Sequence, residues 1–283
     1  MRGVSTVFDV TLFLLFVTAA VGTLVAPPAA QPAEPAAPAE ASLATTASVH
    51  YSLAPGARHG PASRFPTTES PEFRRTAHGS LATLLARGAT RNLSIAGERV
   101  THSHDEFTRE VANATATRTL PRTRVRAVWS PYPGSSVRGS LTAGPRPPAD
   151  ARVTSRTLTV ASGYPPVRER ARLAAEREGY AGVAHVLARA VVRGTFPDPQ
   201  TSHALHGDYP VDALVRHRYH RFGALLGTGV ETPIHPERTN AALQRALADR
   251  FERDLRGRFD SPEEAAATVR VGEVHVTVRR WSR

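Results

Sequence analysis

Two kinds of hydrophobic pattern divide this chain. The run Val10–Ala26 carries no charged residue and does not alternate apolar and polar faces. Its length is close to the minimum of about 17 residues that a helix needs to span a bilayer. After Val49 the apolar residues instead alternate with polar ones or recur every three to four positions, as in elements that bury one face. The pattern predicts an N-terminal single transmembrane helix and, after it, an α+β head.

Strands are predicted mainly in the first half of the head. The clearest is segment 122–129, in which apolar residues share one face and arginines share the other. The apolar residues are Val125, Ala127 and Trp129, and the arginines are Arg122, Arg124 and Arg126. Weaker strand patterns cover 48–53, 92–100, 135–141 and 152–160. A closing strand is predicted where Val274, Val276 and Val278 alternate with polar residues.

Helices are predicted mainly in the second half. Short helices over 79–89 and from His104 come first. Three apolar stripes at helical spacing follow. Their members are Val183, Val186, Leu187, Ala190 and Val191; then Val211, Leu214, Val215, Tyr219, Phe222 and Leu226; then Leu243, Leu247, Phe251 and Leu255. Ser261 and Glu264 have the spacing of a capping box, with Pro262 at the first helical position.

The segment between the apolar run and the head differs from both. Residues 27–46 are rich in Pro and Ala and have no apolar period. Repeated Pro blocks helix and favours an extended polyproline conformation, so this segment is predicted to be a stalk or linker. No second Pro-rich linker follows, and the prediction is one head domain over 47–283.

Composition limits the kinds of binding and catalytic site that the chain can form. The net charge is 36 − 25 = +11, and every basic residue is Arg. Either codon bias in a GC-rich genome or selection for bidentate anion contacts can produce this bias. The scattered positions favour codon bias. Because Cys is absent, disulfides, thiolate metal sites and Cys nucleophiles are all excluded.

Flanking charges predict the orientation of the apolar run. Arg2 precedes it, and the next arginine is Arg58, whereas Glu34 and Glu40 come first on the other side. The positive-inside rule places the N-terminus in the cytoplasm and the head outside the cell. Three fates remain open: cleavage after the run, perhaps at Ala30, retention as an uncut membrane anchor, or cleavage before the run.

The first residues resemble a known class of filament subunit. Arg2-Gly3, then Val4-Ser5-Thr6-Val7, then the apolar run is similar to the N-terminus of archaeal type IV pilins, especially haloarchaeal ones. The resemblance implies a leader of residues 1–3, cleavage by a prepilin peptidase between Gly3 and Val4, and a retained helix over 4–26. It further implies membrane lipid and other pilin-like subunits as partners.

One further residue bears on the pilin resemblance, and two later segments carry a second resemblance. Asp9 either pairs with the new amino group of a neighbouring subunit or is a residue at the helix border. Segments 125–139 and 258–282 resemble uncharacterised haloarchaeal surface proteins, which bring no known activity.

No catalytic, cofactor or metal site is recognisable. The histidine candidates are His217 with His220, His203 with His206, and His102 with His104 and Asp105. They lack an HExxH motif and are expected on the surface. There is no G-x-S-x-G motif around 134–136, no paired acid among Asp208, Asp212 and Glu231, and no Lys for a P-loop. We therefore expect no enzyme and no cofactor.

Three binding features complete the sequence analysis. Asn92 and Asn113 begin N-glycosylation sequons, which become usable acceptors if the head is exported. The 122–126 arginine face is either solvated or contacts acidic surface layers or neighbouring heads. Nucleic acid is not expected as a partner, because the head is predicted to lie outside the cell and aromatic residues make up only 6%.

The leading hypothesis is a non-enzymatic, membrane-anchored, pilin-like or pseudopilin-like subunit of an archaeal surface filament or secretion system. The alternative is a monomeric surface protein that binds an envelope partner. An exported hydrolase with an unrecognised site is the third hypothesis.

Overall fold

The computed structural model describes residues 38–53, 71–230 and 236–282. The helices are α1 (Pro38–Ala44), α2 (Leu81–Arg91), α3 (Asp105–Arg118), α4 (Arg168–Thr195), α5 (Asp198–Leu205), α6 (Val211–Leu226), α7 (Pro236–Arg256) and α8 (Pro262–Ala267). The strands are β1 (Thr46–Ser52), β2 (Arg74–Ser80), β3 (Leu93–Ile95), β4 (Glu98–Arg99), β5 (Thr123–Trp129), β6 (Val137–Ala143), β7 (Arg152–Ala161) and β8 (Glu273–Ser282). The predicted mixture of helices and sheet in the head is confirmed.

The strands form two antiparallel sheets. In the larger sheet the order is β4-β3-β6-β5-β8-β7, and the smaller sheet pairs β1 with β2. Ala127 in β5 lies opposite Leu141 in β6 and Val276 in β8. The last strand of the chain therefore lies between β5 and β7, inside the larger sheet rather than at its edge.

The alternation predicted in β5 decides which face of the sheet is buried. Val125, Ala127 and Trp129 are buried, whereas Arg126 is exposed and Arg124 half-buried. Trp129 is completely buried, and its Nε1 donates a hydrogen bond of 2.8 Å to the Val271 carbonyl. That bond satisfies the indole N–H, which would otherwise be costly to bury.

The long helices bury the predicted apolar stripes. Leu243, Leu247, Phe251 and Leu255 of α7 are all fully buried. Helix α4 is interrupted at Gly179, where φ is 61° and ψ is −144°. Residues with a side chain rarely adopt this backbone conformation, so glycine allows the change of direction. The predicted capping box is also present, since Ser261 Oγ accepts from Glu264 N at 3.1 Å.

The membrane-helix part of the predicted fold class is corrected. Among the described residues, no helix is both long enough and apolar enough to cross a membrane. Helices α4 and α7 contain 28 and 21 residues, but both carry Arg and Glu along their length. The expected transmembrane helix over 4–26 lies outside the described residues.

The structure also adds elements that the patterns missed. Helix α1 lies within the segment 27–46 that was predicted as an extended stalk, and its Leu43 is buried in the core. Residues from Ala39 onward form one compact unit. Helix α1 therefore belongs to the folded domain. The sequence pattern did not indicate it, because one buried apolar side chain gives no hydrophobic period.

We expect Gly139→Ala to destabilise the domain. Strand β6 passes so close to the end of α2 that a Cβ on Gly139 would overlap the Ala89 carbonyl oxygen. The backbone of α2 has to move to make room, and overpacking of this kind costs about 1–3 kcal/mol. The measurement is chemical denaturation of the full chain.

The matched control is Gly229→Ala, because a Cβ at Gly229 meets nothing within 4 Å. Equal free energies of unfolding for the two variants would contradict the close packing of β6 on α2.

Candidate functional site: an arginine-lined cavity

A cavity of about 590 Å³ lies where distant parts of the chain converge. Its walls come from the C-terminal ends of α2 and α4, the segment after β4, the loop after β7, and helices α5 and α6. This volume falls within the range of about 300–1,000 Å³ that is usual for small-molecule sites. The cavity is therefore large enough to enclose an organic ligand.

The ionisable lining of the cavity is one-sided. Arg87 and Arg91 of α2 and Arg218 of α6 line it, and the lining includes no Asp or Glu. His104 is the remaining ionisable side chain with a basic group in the wall. The electrostatic potential inside is therefore positive.

Arg218 is the unusual member of this set. Its Nε is buried and has no hydrogen-bond partner in the described part of the chain. Burial, and after it the charge of Arg91, lowers the pKa of Arg218, with Tyr164 and Tyr219 opposing that shift. An arginine keeps its proton at neutral pH even so. Among the described residues, no carboxylate neutralises this guanidinium.

The two arginines of α2 are held by contacts of their own. Arg91 donates to the Tyr51 hydroxyl at 3.2 Å, and its guanidinium lies 4.8 Å from the centre of the Phe107 ring. Arg87 donates to the His78 carbonyl at 3.4 Å. These contacts fix the positions of both side chains, but none of them neutralises the positive charge.

Tyr164 forms an aromatic wall of the cavity. Its ring packs edge-on against Trp129, with centroids 4.8 Å apart, and its hydroxyl lies 3.3 Å from Thr195 Oγ1. Burial raises the pKa of Tyr164, so the hydroxyl is neutral at physiological pH. Gly194 makes room for the ring, because a Cβ there would lie 2.5 Å from Tyr164 Cδ1.

The loop that carries Tyr164 is fixed to the end of the sheet. Ser162 Oγ donates to the Val271 carbonyl at 2.8 Å and accepts from Tyr164 N at 3.0 Å. Val271 also accepts the Trp129 hydrogen bond. The position of the aromatic wall therefore depends on the segment just before β8.

The histidine candidates do not assemble into a metal centre in the described residues. No group of three or more His, Asp and Glu side chains there has metal-binding geometry. Asp105 Oδ1 instead accepts a hydrogen bond of 2.5 Å from Arg99 Nη1, and Asp105 Oδ2 lies 3.1 Å from His102 Nδ1. These contacts lower the pKa of Asp105 although burial acts in the opposite direction. His203, His206 and His220 are exposed on α5, just after it and on α6.

The remaining candidate nucleophiles, acids and processing residues either make structural contacts, are exposed, or lie outside the described residues. Ser135 Oγ accepts from Val137 N at 3.1 Å, and Ser136 Oγ accepts from Arg250 Nε at 3.0 Å. Asp212 lies 3.8 Å from Arg216, and Asp208 is exposed. The predicted cleavage and pairing residues Gly3, Val4 and Asp9, together with Glu231, lie outside the described residues.

The predicted arginine face is wider than the sequence indicated. Arg124 of β5 lies directly opposite Arg279 of β8, and both are on the face away from Val125. Arg126 and, on β6, Arg138 are exposed on that face as well. Like charges directly opposite each other are unfavourable in a sheet, so this face favours contact with negative charge.

The two sequons differ in their surroundings. The Asn92 amide, half-buried at the end of α2, donates from Nδ2 to the Ser140 carbonyl at 2.6 Å. Asn113 is exposed on α3, while Thr115 of the same sequon is buried and donates to the Val111 carbonyl at 2.8 Å. The amide nitrogen that would carry a glycan is thus directed into the fold at Asn92, whereas the Asn113 side chain is accessible.

Local sequence patterns do not reveal the cavity, although they contain one signal of it. Arg218 follows Leu214 by four residues and Val215 by three, so it lies on the apolar face of the predicted α6 stripe. An arginine on a buried face requires a partner or a ligand. The rest of the cavity could not be found from local patterns, because its wall comes from segments that are far apart in the chain.

Comparison with known proteins identifies a family but no characterised relative. No curated protein and no solved structure matches the chain. One family model matches residues 8–281, which is nearly the whole length of the chain. The chain therefore belongs to DUF7284, a family of unknown function.

Proposed function

We propose that this protein is a non-enzymatic surface protein, a pilin-like subunit whose folded domain lies outside the cell. The observation that carries the proposal is the N-terminal order of Arg2-Gly3, Val4-Ser5 and the uncharged run Val10–Ala26. In this proposal a prepilin peptidase removes residues 1–3, and the apolar run stays attached to the domain and associates with membrane lipid and other subunits.

The family match includes both the apolar run and the folded domain. It begins at residue 8, ahead of the apolar run, and continues to residue 281. The proposal itself rests on residues 2–5 and the run that follows them.

The serine and acid candidates singled out in the sequence make structural contacts. Ser135 Oγ accepts from a backbone N–H, Ser136 Oγ accepts from Arg250, and Asp105 binds Arg99. For these three residues, a role in holding the fold fits the contacts better than a role in hydrolysis, which requires a nucleophile beside a base.

A second candidate function is that of a surface protein that binds an acidic envelope partner. The opposed pair Arg124 and Arg279, with Arg126 and Arg138 beside it, favours this function. A negatively charged surface would relieve the repulsion within this arginine face and would be attracted to it.

We expect the mature chain to begin at Val4. The measurement is mass spectrometry of the N-terminal peptide of the native protein. Gly3→Val should block processing, because a side chain at the cleaved bond hinders close approach by the peptidase, while export continues. The matched control is Gly22→Val, which changes a glycine inside the apolar run and should leave cleavage intact.

Other N-termini would identify other fates. A mature chain that begins near Gln31 would establish a released protein and contradict the pilin-like proposal. An intact Met1 would leave the anchored surface protein of the second candidate function. If Val4 is the first residue, co-purification with other pilin-like subunits is the next requirement for filament membership.

We expect glycosylation at Asn113 and not at Asn92. A glycan at Asn92 Nδ2 would have to displace the contact with the Ser140 carbonyl, whereas Asn113 is exposed. Glycopeptide analysis of the exported protein measures the occupancy of each site. Asn113→Gln should remove the added mass and Asn92→Gln should leave it unchanged, so a glycan on Asn92 would show that this argument is wrong.

We expect the arginine face to mediate binding to isolated cell envelopes in a salt-dependent manner. The double variant Arg126→Glu and Arg279→Glu should bind several-fold more weakly in a cosedimentation assay, because it reverses the charge of the face. Arg253→Glu is the control, since Arg253 is exposed on helix α7 and is not part of the strands that form this face. Equal loss in the control and the double variant would show that net charge alone determines binding.

A further inference from the structure

We propose that the arginine-lined cavity binds a small organic phosphate ester. In this assignment Arg218, with Arg87 and Arg91 nearby, holds the phosphate, and the apolar wall holds the organic part of the ligand. The inference concerns the folded domain alone and does not rest on the proposed function. The result of the N-terminal mapping therefore does not affect it.

The first step is the cost of Arg218 in the ligand-free protein. Burying a polar atom of a charged group without a hydrogen-bond partner is unfavourable, and natural proteins rarely retain such an atom without a reason. Arg218 Nε is buried without a hydrogen-bond partner in the part of the chain that the structure describes. An anion in the cavity would provide the missing acceptor and the compensating charge.

The second step is the number of positive charges. Arg87, Arg91 and Arg218 line one cavity whose lining contains no carboxylate. A monoanionic carboxylate would leave more than one of these guanidinium groups uncompensated. A phosphate monoester is close to doubly charged at neutral pH and offers three oxygens, which suits several guanidinium groups that donate in pairs.

The third step is the size and polarity of the rest of the cavity. The volume of about 590 Å³ is much larger than a phosphate ion, which is comparable in size to a few water molecules of ~30 Å³ each. Leu93, Val100 and Val215 line it together with the aromatic rings of Tyr164 and Phe196. This wall offers van der Waals contact and stacking to an apolar or aromatic group. The chemistry thus points to an ester with such a group rather than to inorganic phosphate.

The test is isothermal titration calorimetry of the full chain in a buffer without phosphate. The probes are phenyl phosphate, inorganic phosphate, benzoate and phenol. We expect phenyl phosphate to bind most tightly, inorganic phosphate more weakly because it lacks the ring, and phenol most weakly because it lacks the charge.

Two variants test the phosphate-binding part and the apolar part of the cavity independently. Arg218→Met should weaken phenyl phosphate binding by about tenfold or more, as expected when a charged hydrogen-bond partner is removed, and should raise the Tm of the ligand-free protein. Arg221→Met is the matched control, because Arg221 lies on the same helix, pairs with Glu98 at 3.3 Å and does not line the cavity. Val215→Phe should fill the apolar part, weaken phenyl phosphate binding and preserve the binding of inorganic phosphate.

Four results would overturn the proposal. They are the absence of saturable binding of any probe at millimolar concentration, equal affinity of the wild type and Arg218→Met, tighter binding of benzoate than of phenyl phosphate, and equal affinity for phenol and phenyl phosphate. If Arg218→Met does not fold, the selective loss of phenyl phosphate binding in Val215→Phe supports the site, and unchanged binding there contradicts it.

Discussion

The pairing of β8 with β5 and β7 is the constraint on which the rest of the domain depends. Strand β8 is the last element among the described residues, and it lies between β5 and β7, which precede all the long helices. The helices α4–α8 therefore form one long connection between β7 and β8, whose ends must meet again. Ser162 N, just after β7, donates to the Gly272 carbonyl at 2.9 Å, and Arg270 N, just before β8, donates to the carbonyl of Pro131, just after β5, at 2.9 Å.

The cavity is a consequence of that closure. The segment before β8 provides the Val271 carbonyl, which receives both Trp129 Nε1 and Ser162 Oγ. Ser162 in turn fixes the loop that carries Tyr164. The same closure brings α6, with Arg218, to the end of α2, with Arg91. Hydrogen bonds at the end of the sheet thus help to position the arginine-lined cavity. A binding site needs such rigid support.

Local patterns predicted the elements well where each one carries its own signal. The alternation around Ala127, the four-residue spacing from Leu243 to Leu255 and the Ser261 cap are all confirmed, since each depends only on neighbouring residues. Helix α1 was missed because Leu43 is a single buried anchor in a Pro/Ala-rich segment.

Local sequence patterns predict little of the arginine-lined cavity. Its residues come from distant segments of the chain, and sequence spacing does not record contacts between such segments. Arg218 on the apolar stripe of α6 was the one local sign, and it becomes informative only when the absence of a carboxylate from the cavity lining is known. The sequence can show an arginine in an improbable place, but it cannot show what surrounds that arginine.

The two positively charged regions of the domain differ in how salt affects them. Arg126 and Arg279 are exposed, and at about 1 M salt the Debye length is only ~3 Å, so their attraction to a distant acidic surface is largely screened. Arg218 is half-buried and its Nε is buried, and buried or partly buried charges are screened much less. High salt should therefore weaken long-range docking through the sheet while preserving the attraction of the cavity for an anion in direct contact. Burial destabilises Arg218 in the ligand-free protein, and the same burial would make its interaction with a bound phosphate strong.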